Sequence, residues 1–253
     1  MKYPKIDTLY KRLFTDKDPV TGEIRYLDKG KSGNPLIEGD YARREFESIK
    51  YWTVTEKVNG TNIRIEYKFN VCQGGDVTIH GKNEGSSIPS NLFKYLQKTF
   101  PLPKLQEAFQ NSNHVILYGE GYGSQIQLPP GKQHNPYGDE VSFILFDSYI
   151  DGWWLDVSKV HEVAKKLDIK SVPLLDYTIS KHKDTHLPEN SWVTTTYIWT
   201  EDQIVRYIKD SPVSKLGKHR MEGVVARSSP QLFFKDGRPV MYKLKCRDFD
   251  GVS

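Results

Sequence analysis

The stretch Trp52-Thr53-Val54-Thr55-Glu56-Lys57-Val58-Asn59-Gly60-Thr61-Asn62-Ile63-Arg64-Ile65-Glu66-Tyr67 decides how this chain is read. Residues 52–57 and 61–68 alternate apolar and polar, the period of a half-buried strand. Asn59-Gly60 between them is a tight-turn dipeptide. Gly60 has a physical reason to be glycine, because a turn here carries no steric penalty without a Cβ. The spacing therefore predicts two successive strands. Lys57 stands at the end of the first, beside the turn, aimed into the cleft the sheet borders. Such a lysine is either a surface group at a hairpin end or a nucleophile, and the rest of the chain has to decide which.

Four later segments bear on that choice. They are Tyr118-Gly119-Glu120-Gly121, Phe143-Ile144-Leu145-Phe146-Asp147, Glu222-Gly223-Val224-Val225 and Lys243-Leu244-Lys245. Lys243 and Lys245 share one face of a strand, since i and i+2 point the same way, and they repel unless an anion lies between them. Glu222 opens an apolar strand, and a carboxylate in that position needs a cation. Glu120 ends another strand among glycines that would let a ligand approach closely. The pattern Gly119-x-Gly121-x-Gly123 is not a dinucleotide fingerprint, because Pro129-Pro130-Gly131 follow where a helix would have to start.

Outward from these motifs the pattern is mixed. Residues 6–14 predict a short helix, followed by turn dipeptides such as Asp18-Pro19 and Thr21-Gly22. Ser90 is placed to cap a helix presenting Leu92, Phe93 and Leu96, and a second helix carries Leu105, Ala108 and Phe109. Strands are expected at 115–118, ending at Glu120, at 141–146, ending at Asp147, and at 223–227 and 240–245. Asp156 caps a helix over 157–167, and Thr200 with Gln203 forms a capping box for a helix to about 209. Strands and helices without regular alternation predict an α+β fold with mainly antiparallel sheets flanked by helices.

Composition sets bounds. The chain has 253 residues, 37% of them hydrophobic and 12% aromatic, enough for one large domain with a real core. No apolar run approaches the ~20 residues of a bilayer span, and the start lacks a secretory h-region. A cytoplasmic protein that does not engage membranes is expected. Cys72 and Cys246 sit in no metal spacing and read as free thiols. The net charge of +4 is uneven: residues 1–50 carry +2, residues 51–200 carry −2 and residues 201–253 carry +4. Such basic ends suit a phosphate-rich partner or a solvated surface equally. His182 and His186 stand four apart in a stretch that reads as a loop, weak ground for a zinc site. Trp153-Trp154 and the Trp192–Trp199 stretch read as core rather than as stacking platforms.

In order and identity, the five motifs resemble the covalent nucleotidyltransferases, the polynucleotide ligases and mRNA capping enzymes. The form Glu56-Lys57-x-x-Gly60-Thr61-Asn62 is most similar to the phage RNA ligase 2 family. The resemblance spans about residues 50–246 and implies the nucleotidyltransferase fold. A segment 1–50 would pack on or extend a catalytic domain at 51–253. Only eight residues follow Lys245, so no C-terminal OB domain is expected.

The resemblance also implies roles. Lys57 would take AMP from ATP as a lysyl-AMP phosphoramidate, pass it to an RNA 5′-phosphate and let a 3′-hydroxyl displace it. The backbone at Glu56 would meet the adenine edge, and Asn62 the ribose or metal waters. Lys82 would stand where the family has a basic residue at the ribose or the incoming phosphate. Glu120 would bind the ribose hydroxyls or a metal hydrate, and Phe143 would stack on adenine, leaving Phe146 to the core. Glu222 would hold Mg²⁺ or Mn²⁺, with Glu120 as a second metal residue, and Lys243 and Lys245 would hold the α-phosphate. Asn59 departs from the Asp or His usual at its position. The partner would be RNA with 5′-phosphate and 3′-hydroxyl ends, nicked or single-stranded. The protein would be a monomer, with a protein partner supplying further substrate grip. A minimal DNA ligase, a capping guanylyltransferase and a non-catalytic nucleic-acid binder remain the alternatives.

Overall fold

The computed structural model describes residues 1–13, 15–17, 20, 24–26, 36–70, 74–83, 85–178 and 195–250. Cys72, His182, His186 and Trp192 lie outside them. In chain order the elements begin with β1 Asp7–Thr8, β2 Tyr10–Arg12, β3 Thr15–Lys17, β4 Ile24–Tyr26, β5 Leu36–Tyr41 and α1 Arg44–Glu47. The hairpin read from sequence follows as β6 Trp52–Lys57 and β7 Thr61–Asn70, then β8 Gly74–His80, α2 Ser90–Thr99 and α3 Leu102–Ala108. Next come β9 His114–Tyr122, β10 Ser142–Ile150, β11 Trp153–Trp154, α4 Val157–Lys166, β12 Lys170–Ser171, β13 Tyr177–Thr178, β14 Thr195–Thr196 and β15 Ile198–Trp199. The last elements are α5 Glu201–Lys209, β16 Gly223–Ser228, β17 Met241–Lys245 and a 3₁₀ turn at Cys246–Phe249.

Two sheets carry the architecture. The first has the order β1-β17-β16-β6-β15, and the second runs β11-β10-β9-β7-β8 with β12 beside β10. Pairing is antiparallel except for β1 with β17 and β10 with β12. Each sheet buries one face under helices. Trp52, Val54, Val224, Ala226, Tyr242 and Leu244 pack with Ile204, Val205 and Ile208 of α5 and with Phe46 of α1. Ile63, Ile65, Val115, Leu117, Phe143 and Leu145 pack under α2, α3 and α4 through Leu92, Leu96, Leu105, Val160 and Val163. The period-2 alternation then leaves the other face of each sheet to its partner. One sheet contributes Lys57, Val225, Arg227, Lys243 and Lys245, the other Asn62, Arg64, Tyr118 and Glu120.

The two faces are tied together. Arg227 meets Asp147 at 2.6 Å, both side chains essentially buried, and also donates to the Phe146 carbonyl at 3.2 Å. Burial of two charges is tolerable only with such mutual satisfaction. Residues 172–175 cross between the sheets, with Val172 N–H on the Leu145 carbonyl at 2.9 Å and Glu56 N–H on the Pro173 carbonyl at 3.0 Å.

Several local expectations hold. Asp156 accepts from Lys159 N–H at 3.0 Å as the cap of α4, and the Thr200–Gln203 capping box opens α5. Others do not. Residues 6–14 contain β1 and β2 instead of a helix, because the edge of β17 offers a pairing partner that outweighs local preference. Pro89, not Ser90, precedes α2, and Phe93 is exposed while Leu92 and Leu96 are buried. Strands β9 and β10 run past Glu120 and Asp147. Trp153 is 73% exposed. Cys246 is a buried free thiol. Among the described residues no helix is long and apolar enough to cross a membrane.

Candidate active site

Register assembles the site. Lys57 pairs with Gly223 on β16, and Gly223 pairs in turn with Lys245 on β17. Glu222, one residue before Gly223, therefore lies between two lysines. Its carboxylate accepts from Lys57 Nζ at 2.7 Å and from Lys245 Nζ at 2.8 Å. A Cβ at Gly223 would come within 2.1 Å of the Leu244 carbonyl oxygen, so only glycine lets the strands close at this point. The lysine charges hold the Glu222 carboxyl below its usual range against the opposing effect of burial.

The second sheet brings Glu120 and Asn62 opposite each other, on β9 and β7. Burial pushes the Glu120 carboxyl up to about 7; Lys57 opposes this, and the nearby Glu222 reinforces it. Gly60 is pressed against this strand, and a Cβ there would stand 2.2 Å from the Gly121 carbonyl oxygen and 2.9 Å from Glu120 Cγ. The turn glycine thus permits a close approach between Lys57's loop and Glu120. Lys243 lies one pair further along β17, opposite Val225. Burial lowers its amine to about 8, helped by the charges of Lys57, Lys245, Lys5 and Arg12. Lys57, Lys243, Lys245, Glu120 and Glu222 therefore form one electrostatic unit, with Asn62 beside it.

Other expected residues lie elsewhere. Phe143 is 1% exposed and packs edge-on against Phe100 at 5.2 Å, on the helix side of its sheet. A Cβ at Gly119 would stand 2.1 Å from its ring, and one at Gly121 would stand 2.4 Å from Leu92. The glycines flanking Glu120 thus make room for core side chains, not for a nucleotide. Ile144 pairs with Glu120 and shares its face, and after a bulge between Leu145 and Asp147 Phe146 joins Val58, Tyr122 and Ile144. Phe143 thus lies on the helix side of its sheet and Phe146 on the side of Glu120. The Glu56 carboxylate is buried away from the lysines, accepting from Ser214 Oγ and from Lys215 N–H at 2.8 Å. Its N–H is taken by Pro173. Lys82 is exposed in the loop after β8, and no hydrogen bond or ion pair joins it to the cluster.

Two residues near the site carried no sequence signal. Tyr137, from the 123–141 connection, accepts the Asn59 N–H at 3.2 Å and packs edge-on against His219 at 4.4 Å. Burial raises its hydroxyl to about 12. Tyr3 lies between the sheets, donating to Asp147 at 2.9 Å and touching the rings of Tyr118 and Phe146. Neither stands in a periodic segment, so only long-range packing reveals it.

Chemically, three lysines and two carboxylates suit a phosphate ester of high negative charge. Among the described residues no group of three or more His, Cys, Asp or Glu could hold a metal. The pair Glu120 and Glu222 fits a cation that takes one or two carboxylates and completes its shell with phosphate and water, as Mg²⁺ and Mn²⁺ do.

The signature of the family described as RNA ligase matches residues 50–245. No curated protein sequence matches the chain. Among solved structures, the Naegleria gruberi RNA ligase with PPi is similar at 19% identity and a TM-score of 0.51, over 78% of this chain and 49% of that one. A variant of that enzyme with ATP and Mn gives 18% identity and a TM-score of 0.52, over 79% and 51%. Another with AMP and Mn gives 19% and 0.50, again over 79% and 51%. The chain spans about half the length of these structures. The likeness extends to the fold, and the matched signature covers every motif from Lys57 to Lys245. The chain belongs to the RNA ligase family.

Proposed function

We propose that the protein is an ATP-dependent RNA ligase acting through a lysyl-AMP intermediate at Lys57. The observation that carries this reading is the shared carboxylate of Glu222 between Lys57 and Lys245, with Lys243 alongside and, among the described residues, no acid paired to it. An amine positioned beside a polyphosphate site is a nucleophile for phosphorus once it has lost a proton.

In the first step the Lys57 Nζ lone pair forms a bond to the α-phosphorus of ATP. The bond from that phosphorus to the bridging oxygen breaks, and pyrophosphate leaves with the electron pair. The Lys57 side chain is 24% exposed, and its amine gives its proton to water in the cleft. Lys243 and Lys245 stabilise charge on the phosphoryl oxygens in the transition state. A divalent ion held by Glu222 and Glu120 would neutralise phosphate charge as it builds. In the second step an RNA 5′-phosphate oxygen displaces Lys57 and takes AMP. In the third, a 3′-hydroxyl attacks that 5′-phosphorus and releases AMP, leaving a phosphodiester. Asn62 faces the same cleft and is placed for the ribose, whereas Phe146 and Ile144 replace Phe143 as the apolar wall for the base.

The test is incubation with α-labelled ATP or GTP and Mg²⁺, followed by denaturation. AMP retained on the wild type and absent from Lys57→Ala supports the ligase. Retained GMP would point to capping chemistry, and no label on the wild type would end the reading. Nicked RNA, nicked DNA and 5′-phosphorylated single strands then sort the substrate.

A further inference from the structure

The second sheet carries one arginine that nothing balances. Arg64 stands on β7 between Ile63 and Ile65, whose side chains lie in the helix-covered core. Alternation therefore turns Arg64 to the cleft, on the face of Asn62. Register sets it between Tyr118 of β9 and His80 of β8. That row lies two residues, about 7 Å, beyond the pair Asn62 and Glu120. The face looks across to the lysine-bearing sheet. The Tyr118 ring lies 4.9 Å from Tyr3, whose hydroxyl is 3.6 Å from Met241 Sδ on β17.

Packing alone gives no reason for a guanidinium here. Arg64 is 8% exposed, and its Nε is enclosed with no acceptor. Among the described residues it forms no side-chain hydrogen bond and no ion pair. The acids on its own face are engaged elsewhere. Glu66 takes His114 at 2.8 Å and Lys68 at 3.0 Å, and Glu120 lies against the Gly60 turn. By contrast, Arg227 holds Asp147 at 2.6 Å and Arg12 holds Asp248 at 2.9 Å. Withdrawing a charge from water without a counter-charge is costly, and arginine does not escape the cost by losing its proton. A buried group left unsatisfied in this way marks a place for an ion. The planar fork of donors matches phosphate oxygens.

Resting on the nucleotidyl-transfer reading of the cleft, we infer that Arg64 binds a substrate phosphate, received on the second sheet one row beyond Asn62 and Glu120. The lysines of the first sheet gather round the phosphate that Lys57 attacks, and Arg64 takes a different one. Two sources share that chemistry: the β,γ-phosphates of the nucleotide, and the 5′-phosphate of the RNA.

The experiment uses the full chain, with Arg64→Met and Arg64→Gln and, as control, Lys94→Ala, an exposed lysine on α2. The probes are inorganic pyrophosphate and one oligoribonucleotide in its 5′-phosphorylated and 5′-hydroxyl forms. By calorimetry, both Arg64 variants should bind a phosphate probe roughly ten- to a hundredfold more weakly than wild type, the size of a lost charge-assisted contact. Lys94→Ala should stay within about twofold. A loss for pyrophosphate assigns the nucleotide's outer phosphates. A loss for the 5′-phosphorylated strand, with none for its 5′-hydroxyl form, assigns the RNA end. Melting temperature separates binding from packing, because removing an unpaired buried charge should leave it unchanged or raise it. Lower melting temperatures with wild-type affinity for both phosphate probes make Arg64 a packing residue and overturn the inference. So does a wild type that binds neither probe. A wild type that takes no label from ATP but binds a phosphate probe through Arg64 would refute nucleotidyl transfer while leaving the phosphate site standing.

Discussion

Lys57 Nζ lies 2.7 Å from Glu222 Oε2, and backbone register places it there: Lys57 pairs with Gly223, the residue that follows Glu222. Lys57, the proposed nucleophile, and the acid beside it are therefore fixed by the same ladder of hydrogen bonds.

Lys57→Arg keeps the positive charge and the ion pair but removes the nucleophilic amine. Labelling from α-labelled ATP should fall by roughly a thousandfold or more, while the melting temperature changes by only a few degrees. Retained labelling would place the nucleophile elsewhere.

Gly60→Ala puts a Cβ where the Gly121 carbonyl oxygen now lies, 2.2 Å away. The turn has to retreat from Glu120, at a cost of about 1–3 kcal/mol. Urea unfolding should register that loss, and label uptake should drop more than stability alone explains, because Lys57 retreats with its turn.

Glu120 has a pH signature. Its folded-state carboxyl titrates near 7, above its usual 4.5. Between those values the folded state binds the extra proton, so its contribution is fully present below the unfolded value and is lost as pH rises toward 7. The change is on the order of 3 kcal/mol for the ligand-free protein. His161 and His219, lowered by burial, tilt the profile the opposite way below their ordinary pKa. The readout is therefore the wild-type unfolding profile minus that of Glu120→Gln. This difference should fall from pH 4.5 to 7 and be flat if Glu120 titrates normally.

Arg227 and Asp147 join the two sheets through buried charges. Asp147→Ala should cost about 3–5 kcal/mol, since it strands the guanidinium. Replacing both by apolar residues should cost less than the sum of the single changes. A double-mutant cycle in urea that finds simple additivity would remove this link.

Phe143→Leu should weaken the fold by about 1–2 kcal/mol and leave the KM for ATP within about twofold. Phe146→Leu, on the Glu120 side, should raise that KM by roughly two- to tenfold, the worth of one aromatic contact. The reverse ranking would return the base to Phe143.

Much of this site was legible because its residues sit at strand ends marked by glycine. Lys57, Glu222 and Lys245 were found by motif order, and alternation placed Lys243 and Lys245 on one face. Phe143 lies on the helix side of its sheet, a face that alternation alone does not select. A period of two gives which residues share a face but not which face meets the ligand, and a bulge after Leu145 resets the phase for Phe146. Residues 6–14 were misread as helix because two- and three-residue strands carry almost no local pattern; their structure comes from partners more than two hundred positions away. Tyr137 and Tyr3 act from irregular segments, where sequence periodicity has nothing to say.

The parallel pairing of β1 with β17 joins the opening of the chain to residues 242 and 243. The helix-covered sheet draws its core from residues 63–167. During synthesis that layer has all its core partners once residue 167 has emerged, whereas the lysine-bearing sheet waits for residue 245. Until residues 222 and 245 have emerged, Lys57 lacks the acid and the second lysine that flank it in the folded protein. Such long-range closure is slow.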